Sequence, residues 1–153
     1  MRARLERKTA MADIIIIGGS IMGSSIAYHL AMTGRAGDIC VIEPDPSYEW
    51  AAAPRSSGGV RLMHGLPENI EMSRYGRDVY KDFARLMDVD GQPGGFDFLE
   101  HGYLYLVAGA KQVADAEENW RTQTGLGVPN DFLDRTELAA RFPSMYVADI
   151  DAA

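Results

Sequence analysis

The sequence predicts an α/β fold that opens on a parallel βαβ crossover and continues into part of an α+β region. Three observations carry this. Four consecutive isoleucines, Ile14–Ile17, form a short β-branched run. A glycine-rich turn, Gly18-Gly19-Ser20-Ile21-Met22-Gly23, follows at once. A second apolar run at residues 38–43 then closes on an acid, Glu43.

An apolar β-branched run of this kind is the pattern of a parallel strand covered on both faces. After the turn, Ile26, Ala27, Leu30 and Ala31 recur at three- and four-residue spacing, which marks the buried face of a helix ending near Gly34. The whole unit has the length of about thirty residues expected for one crossover. Cys40 lies within the second apolar run, Ile39-Cys40-Val41-Ile42, and is expected to be a buried structural thiol.

Beyond Glu43, Pro44-Asp45-Pro46 stops the strand, and a stretch rich in Ala, Ser, Gly and Arg reaches Gly65 without a clear period. Pro67 fits the first turn of a helix running to about Met87, with Ile70, Val79, Phe83, Leu86 and Met87 on its apolar face. Residues 88–95 are rich in turn formers. Residues 96–99 and 103–107 read as two paired strands with alternating aromatics. An amphipathic helix is predicted over 111–124, and Asp134-Arg135-Thr136-Glu137 has the form of a capping box opening a short helix that Pro143 closes. Residues 144–153 carry no terminal element.

The expected organisation is therefore a basic extension at 1–10, a nucleotide-type region at 11–90, and the start of an α+β region at 91–153. Met11-Ala12-Asp13 resembles a natural start, which makes the first ten residues an upstream extension.

Composition narrows the function. The chain has 153 residues, enough to bury a core, and a net charge of −7. Arg2, Arg4, Arg7 and Lys8 crowd into the first ten residues, so the body is more acidic still and would repel a phosphate backbone. Nucleic acid is not an expected partner. One cysteine permits neither an internal disulfide nor a thiolate metal cluster, and scattered histidines make no metal site. The nearly uncharged stretch from Ile14 to Thr33 is interrupted by Gly18, Gly19, Gly23 and His29, which argues against a membrane span. A cytoplasmic location is expected.

The turn itself resembles the Rossmann-type dinucleotide fingerprint. There the first glycine lets the chain turn out of the strand, the second lets backbone approach a pyrophosphate, and the third lets helix pack on strand. Gly18, Ser20 and Gly23 stand at these positions, so the middle one departs from the pattern. The helix N-terminus behind them still offers unpaired N–H groups to an anion. Glu43, twenty residues beyond Gly23, is placed to accept hydrogen bonds from ribose hydroxyls and to disfavour a 2′-phosphate. A glycine turn in another α/β fold, with Glu43 as a solvated strand end, is the plainer alternative.

These residues resemble the FAD-dependent oxidoreductases of the D-amino-acid oxidase and sarcosine oxidase or dehydrogenase type. The resemblance runs from Ile14 through the turn to Leu30, through Val41-Ile42-Glu43, and through Ser56-Ser57-Gly58-Gly59-Val60-Arg61 and Leu66-Pro67-Glu68-Asn69-Ile70. It extends to Gly102-Tyr103-Leu104-Tyr105-Leu106 and to the short helix ending at Pro143. It implies FAD as cofactor, with Gly18, Gly19, Ser20, Ile21, Met22 and Gly23 facing the pyrophosphate and Glu43 the adenosine ribose. Ser56, Ser57, Gly58 and Gly59 would pass beside the flavin, with Arg61 near its ring; a flexible surface loop is the plainer reading. Some relatives attach flavin through a His in this loop, and Ser and Gly here imply non-covalent FAD. His64 falls where some relatives hold a substrate carboxylate, although a solvated loop histidine is the simpler assignment.

The resemblance further implies oxidation of a C–N bond in an amine or amino acid by hydride transfer to flavin N5. Most substrate-facing residues of such enzymes lie in a half that is absent here, so no catalytic residue is assigned. Three readings follow: a truncated amine-oxidising flavoenzyme, a dinucleotide-binding module completed by a complementary polypeptide, or a small NAD-dependent reductase. The last is weakened by the lack of a Tyr-x-x-x-Lys pair.

Overall fold

The first unit of the fold is a two-stranded parallel sheet with one helix laid across it. In the computed structural model, which describes residues 11–95 and 97–153, β1 (Ile14–Ile17) pairs with β2 (Ile39–Ile42), Ile14 opposite Ile39 and Ile17 opposite Ile42. The crossover between them is α1 (Ile21–Met32). The expected extension at 1–10 lies outside the described residues. Contacts divide the chain into two compact units, one ending at Gly59 and one beginning at Val60, whereas the composition shift in the sequence falls near residue 90.

β-branched side chains favour the extended backbone of β1. The parallel ladder continues one step past the strand, where the Gly18 N–H donates to Ile42 O at 2.8 Å. At the other end of the sheet, Asp13 and Asp38 clasp each other: Asp13 N donates to Asp38 O, and Asp38 N donates to Asp13 Oδ2, both at 2.9 Å. α1 stops at Thr33, and Gly34, with φ +63°, takes the left-handed conformation that ends a helix without steric cost.

Two expectations are corrected here. β1 is not covered on both faces: Ile16 is buried against α1, but Ile15 and Ile17 are exposed. Cys40 is exposed rather than buried. The reason is register. Cys40 pairs with Ile15 and Ile42 with Ile17, so these four residues share the face opposite α1. With only two strands to cover, α1 buries Gly23, leaves Ala27 and Leu30 half-buried, and leaves Ile26 and Ala31 exposed.

The second unit is mainly helical. α2 (Pro67–Lys81) begins with proline at its first turn and buries Ile70 completely. It does not run on to Met87 as one helix. Asp82, at φ −105° and ψ 17°, breaks the regular geometry before the single turn α3 (Phe83–Leu86). α4 (Ala110–Gly125) packs against α2. α5 (Arg135–Arg141) opens on the predicted capping box, in which Glu137 N donates to Asp134 Oδ1 at 2.8 Å and Asp134 N donates to Glu137 Oε2 at 2.9 Å. Leu138 on α5 is fully buried.

The predicted strand pair at 96–99 and 103–107 does not form among the described residues, and Phe96 lies outside them. Alternation reports which side of a run is apolar and says nothing of which strand will pair with it. Tyr103 and Tyr105 do sit on one side, their rings stacked at 6.3 Å, but Leu104 and Leu106 are exposed as well. Val107 bridges to the C-terminal residues instead. Val107 N donates to Ala152 O at 2.9 Å, while Leu133 and Ala153 exchange hydrogen bonds at 2.7 and 2.9 Å. Residues 151–153 thus lie between 107 and 133, with Ala152 buried, where the sequence offered no terminal element.

Candidate dinucleotide-binding site

The turn after β1 is set by three backbone requirements. Gly18 has φ +94°, a conformation that side-chain-bearing residues avoid. A Cβ added at Gly23 would lie 1.8 Å from Gly18 O and 3.3 Å from Ile16 Cγ2, so α1 approaches the strand as closely as backbone permits. A Cβ at Gly19 would lie 2.9 Å from the Tyr48 hydroxyl and 3.2 Å from Glu43 Cβ.

The helix N-terminus behind this turn is open. Ser20 is the N-cap but makes no side-chain capping bond, and no acid occupies the first turn of α1. The first N–H groups of the helix therefore keep both their donors and their partial positive charge. Ser24 secures the turn from within the helix, its Oγ donating to Gly19 O at 2.5 Å.

Glu43, just past β2, ties the strand end to the turn. Its Oε2 accepts from Gly19 N at 2.7 Å and its Oε1 from Asp45 N at 3.0 Å. Each carboxylate oxygen retains a further lone pair for a ligand hydroxyl. Past Glu43, Ser47 N and Ser47 Oγ both donate to Asp45 Oδ1, at 3.0 and 2.6 Å. The Ser47 hydroxyl is the main reason the Asp45 carboxyl titrates below its ordinary value, with the Ser47 backbone N–H adding to it.

A cleft of about 420 Å³ lies between turn and loop, lined by Ser20, Met22, Glu43, Asp45, Tyr48 and Trp50 among others. The structure thus brings the 18–23 turn and Glu43 together. It leaves Ser56, Ser57, Gly58 and Gly59 in the same unit but outside the lining of this cleft. Ser56 turns its loop locally, its Oγ donating to Ala53 O at 2.8 Å and accepting from Gly58 N at 3.2 Å. Arg61 belongs to the second unit. His64 is half-buried there and not a solvated loop residue: its Nε2 lies 2.9 Å from Ser73 Oγ and 3.2 Å from Arg61 O, and its carbonyl accepts from Gln123 Nε2 at 3.1 Å. His29 bonds within α1, its Nδ1 2.7 Å from Ser25 O.

Tyr48 and Trp50 escaped the sequence reading, although an aromatic pair in a stretch otherwise rich in small residues was a usable signal. Arg55 lies over the Trp50 ring, 5.0 Å from its centroid. Among the described residues no group of three or more His, Cys, Asp or Glu is placed to hold a metal, and no helix is long and apolar enough to cross a membrane.

A parallel βαβ unit, a glycine turn that admits no side chain at its third position and an acid at the end of the second strand define a dinucleotide-binding fold. The chain belongs to the FAD dependent oxidoreductase family, whose model matches residues 13–153. It is 36% identical over 132 residues to the FAD-dependent oxidoreductase domain-containing protein 1 homolog of Drosophila melanogaster, covering 86% of this chain and 25% of that protein. It is 33% identical over 136 residues to FAD-dependent oxidoreductase domain-containing protein 1 of Xenopus laevis, covering 86% of this chain and 27% of that one. Among solved structures it is similar to an L-proline dehydrogenase from P. horikoshii, with a TM-score of 0.73 and 25% identity over 92% of this chain and 35% of the other. The chain therefore spans about a quarter of the length of the curated relatives it matches.

FAD is the cofactor that membership of this family brings, and the residues fit it. The turn presents open N–H groups where a Cβ at Gly23 would collide with backbone, and the Glu43 carboxylate stands beside them.

Proposed function

We propose that this chain is the FAD-binding part of an oxidoreductase acting on the C–N bond of an amine or amino acid. The observation that carries the reading is the joint geometry of Gly23 packed on Gly18 O and Glu43 bonded to Gly19 N. In this reading the turn Gly18, Gly19, Ser20, Ile21, Met22 and Gly23 faces the pyrophosphate, with the N–H groups of residues 20–23 free to bind it because those of Gly18 and Gly19 already donate to Ile42 O and Glu43 Oε2, and Glu43 accepts from the adenosine ribose. Ser56, Ser57, Gly58, Gly59 and Arg61 serve the flavin end, with Arg61 countering negative charge. When bound, FAD supplies the two-electron redox step. The residues of this chain bind and orient it.

The C–N specificity draws on the similarity to a structure named as an L-proline dehydrogenase. Residues 11–90 form the FAD-binding region and 91–153 the start of the substrate region. A small amine or amino-acid substrate is the ligand we assign, and a complementary polypeptide is the second partner of this proposal. It would cover Ile15, Ile17, Cys40 and Ile42, the exposed apolar face of the sheet. A cytoplasmic location belongs to the same proposal, since a single cysteine fits a reducing compartment.

The test is direct binding. Titration of the purified chain with FAD, followed by flavin fluorescence, should saturate, with NADPH binding more weakly. Preference for NADPH, or no saturation with FAD, would refute the cofactor assignment. For the chemistry, the chain joined to the remaining region of a relative should reduce an artificial electron acceptor with L-proline, sarcosine or a D-amino acid. Turnover confined to alcohols would overturn the C–N assignment.

A further inference from the structure

We infer that Tyr48 is a cofactor-binding residue for the adenosine half of the ligand, an inference that rests on the FAD reading above. Only two non-glycine residues among the described ones have positive φ, and Tyr48, at +56°, is one of them. A bulky aromatic residue rarely adopts this conformation, and it persists only where the surroundings enforce it.

Here the surroundings are a purpose-shaped turn. Asp45 O accepts from Tyr48 N at 3.0 Å, the Asp45 carboxylate binds both the N–H and the hydroxyl of Ser47, and Ala51 N donates to Tyr48 O at 3.0 Å. The outcome is a ring carried back to the glycine turn. The Tyr48 hydroxyl reaches to 2.9 Å from where a Gly19 Cβ would stand, a space open only because residue 19 is glycine.

That hydroxyl is left with a task. The residue is half-buried and lines the same cleft as Ser20 and Glu43, yet among the described residues its hydroxyl makes no hydrogen bond. Its oxygen is open to solvent, and so to a ligand entering the cleft. A phenol is a donor and suits a phosphate or a ribose oxygen, whereas Glu43 beside it only accepts. The two together provide complementary contacts for a polar, anionic nucleotide. Glu43 marks this wall as the adenosine side, because an acid at the end of the second strand of such a unit is the ribose partner.

The experiment separates the halves of the ligand. Binding of FAD, ADP and FMN to the full chain is measured by calorimetry for wild type, Tyr48→Phe and Tyr48→Gly. Tyr48→Phe should weaken ADP and FAD by about tenfold, the loss expected for one hydrogen bond to a charged group, and leave FMN within twofold. Tyr48→Gly relieves the positive φ, so its melting temperature should hold while ADP affinity falls at least as far. ADP binding within twofold of wild type in both variants overturns the role of Tyr48 while leaving the FAD reading intact. Equal weakening of ADP and FMN also overturns it. Failure of the wild-type chain to bind either FAD or ADP removes the FAD reading and this inference with it.

Discussion

Replacing Gly23 by valine tests the packing on which the site depends. A Cβ at this position would lie 1.8 Å from Gly18 O and 2.9 Å from Gly18 C, both backbone atoms that no rotamer change can move. To restore ordinary van der Waals separation, α1 must retreat from the strand by on the order of 1–2 Å. That motion loosens Ile16, the buried strand residue under the helix. Overpacking costs about 1–3 kcal/mol, and a backbone partner puts this case at the upper end. For a chain of this size the melting temperature should fall by about 10 °C. The same retreat carries the helix N–H groups away from the turn, and loss of a charge-assisted hydrogen bond there should weaken FAD binding by about a hundredfold. Far-UV circular dichroism and FAD titration measure the two effects. Even Gly23→Ala carries the offending Cβ, so a Gly23→Ala protein with wild-type melting and wild-type FAD affinity would refute the reasoning.

Ser20→Gly should leave stability within about 0.5 kcal/mol and FAD affinity equal or tighter, because the Ser20 side chain makes no capping bond; loss of binding in a titration would contradict its place in the turn. Gly76→Ala in α2, where an added Cβ meets nothing within 4 Å, should stabilise the chain by about 0.5–1 kcal/mol in denaturant unfolding. Asp134→Ala should cost about 1 kcal/mol through loss of the capping box, read from the same unfolding curves. The lowered Asp45 pKa means that the turn holding Tyr48 is intact at neutral pH and loosens only as pH falls through that lowered value, below the ordinary 3.8. Ser47→Ala removes the principal cause, so NMR titration should find the Asp45 carboxyl closer to its ordinary value.

Local chemistry sufficed for much of this molecule. The isoleucine run, the glycine turn and the Asp134–Glu137 capping box each act over a few residues, and each forms as the sequence indicates. The βαβ unit follows because a parallel pair needs a crossover of about this length. The acid at the strand end was also legible, and it does meet the turn, at 2.7 Å from Gly19 N to Glu43 Oε2.

What local pattern does not encode is the partner of each surface. The apolar run containing Cys40 reads as buried, yet pairing with Ile15 turns Cys40 to the uncovered face. Alternating aromatics at 103–107 read as one half of a hairpin, yet Val107 pairs with Ala152, which lies far along the chain in a segment of no evident pattern. Tyr48 reads as an ordinary loop residue until the turn built by Asp45 and Ser47 sets its φ to +56° and brings its hydroxyl to Gly19. Strand, helix and cap are properties of neighbours in sequence, so the chain specifies them before it folds. Burial, register and the approach of Tyr48 to the glycine turn are properties of residues far apart in the chain, and they exist only once the packing has chosen which surfaces meet.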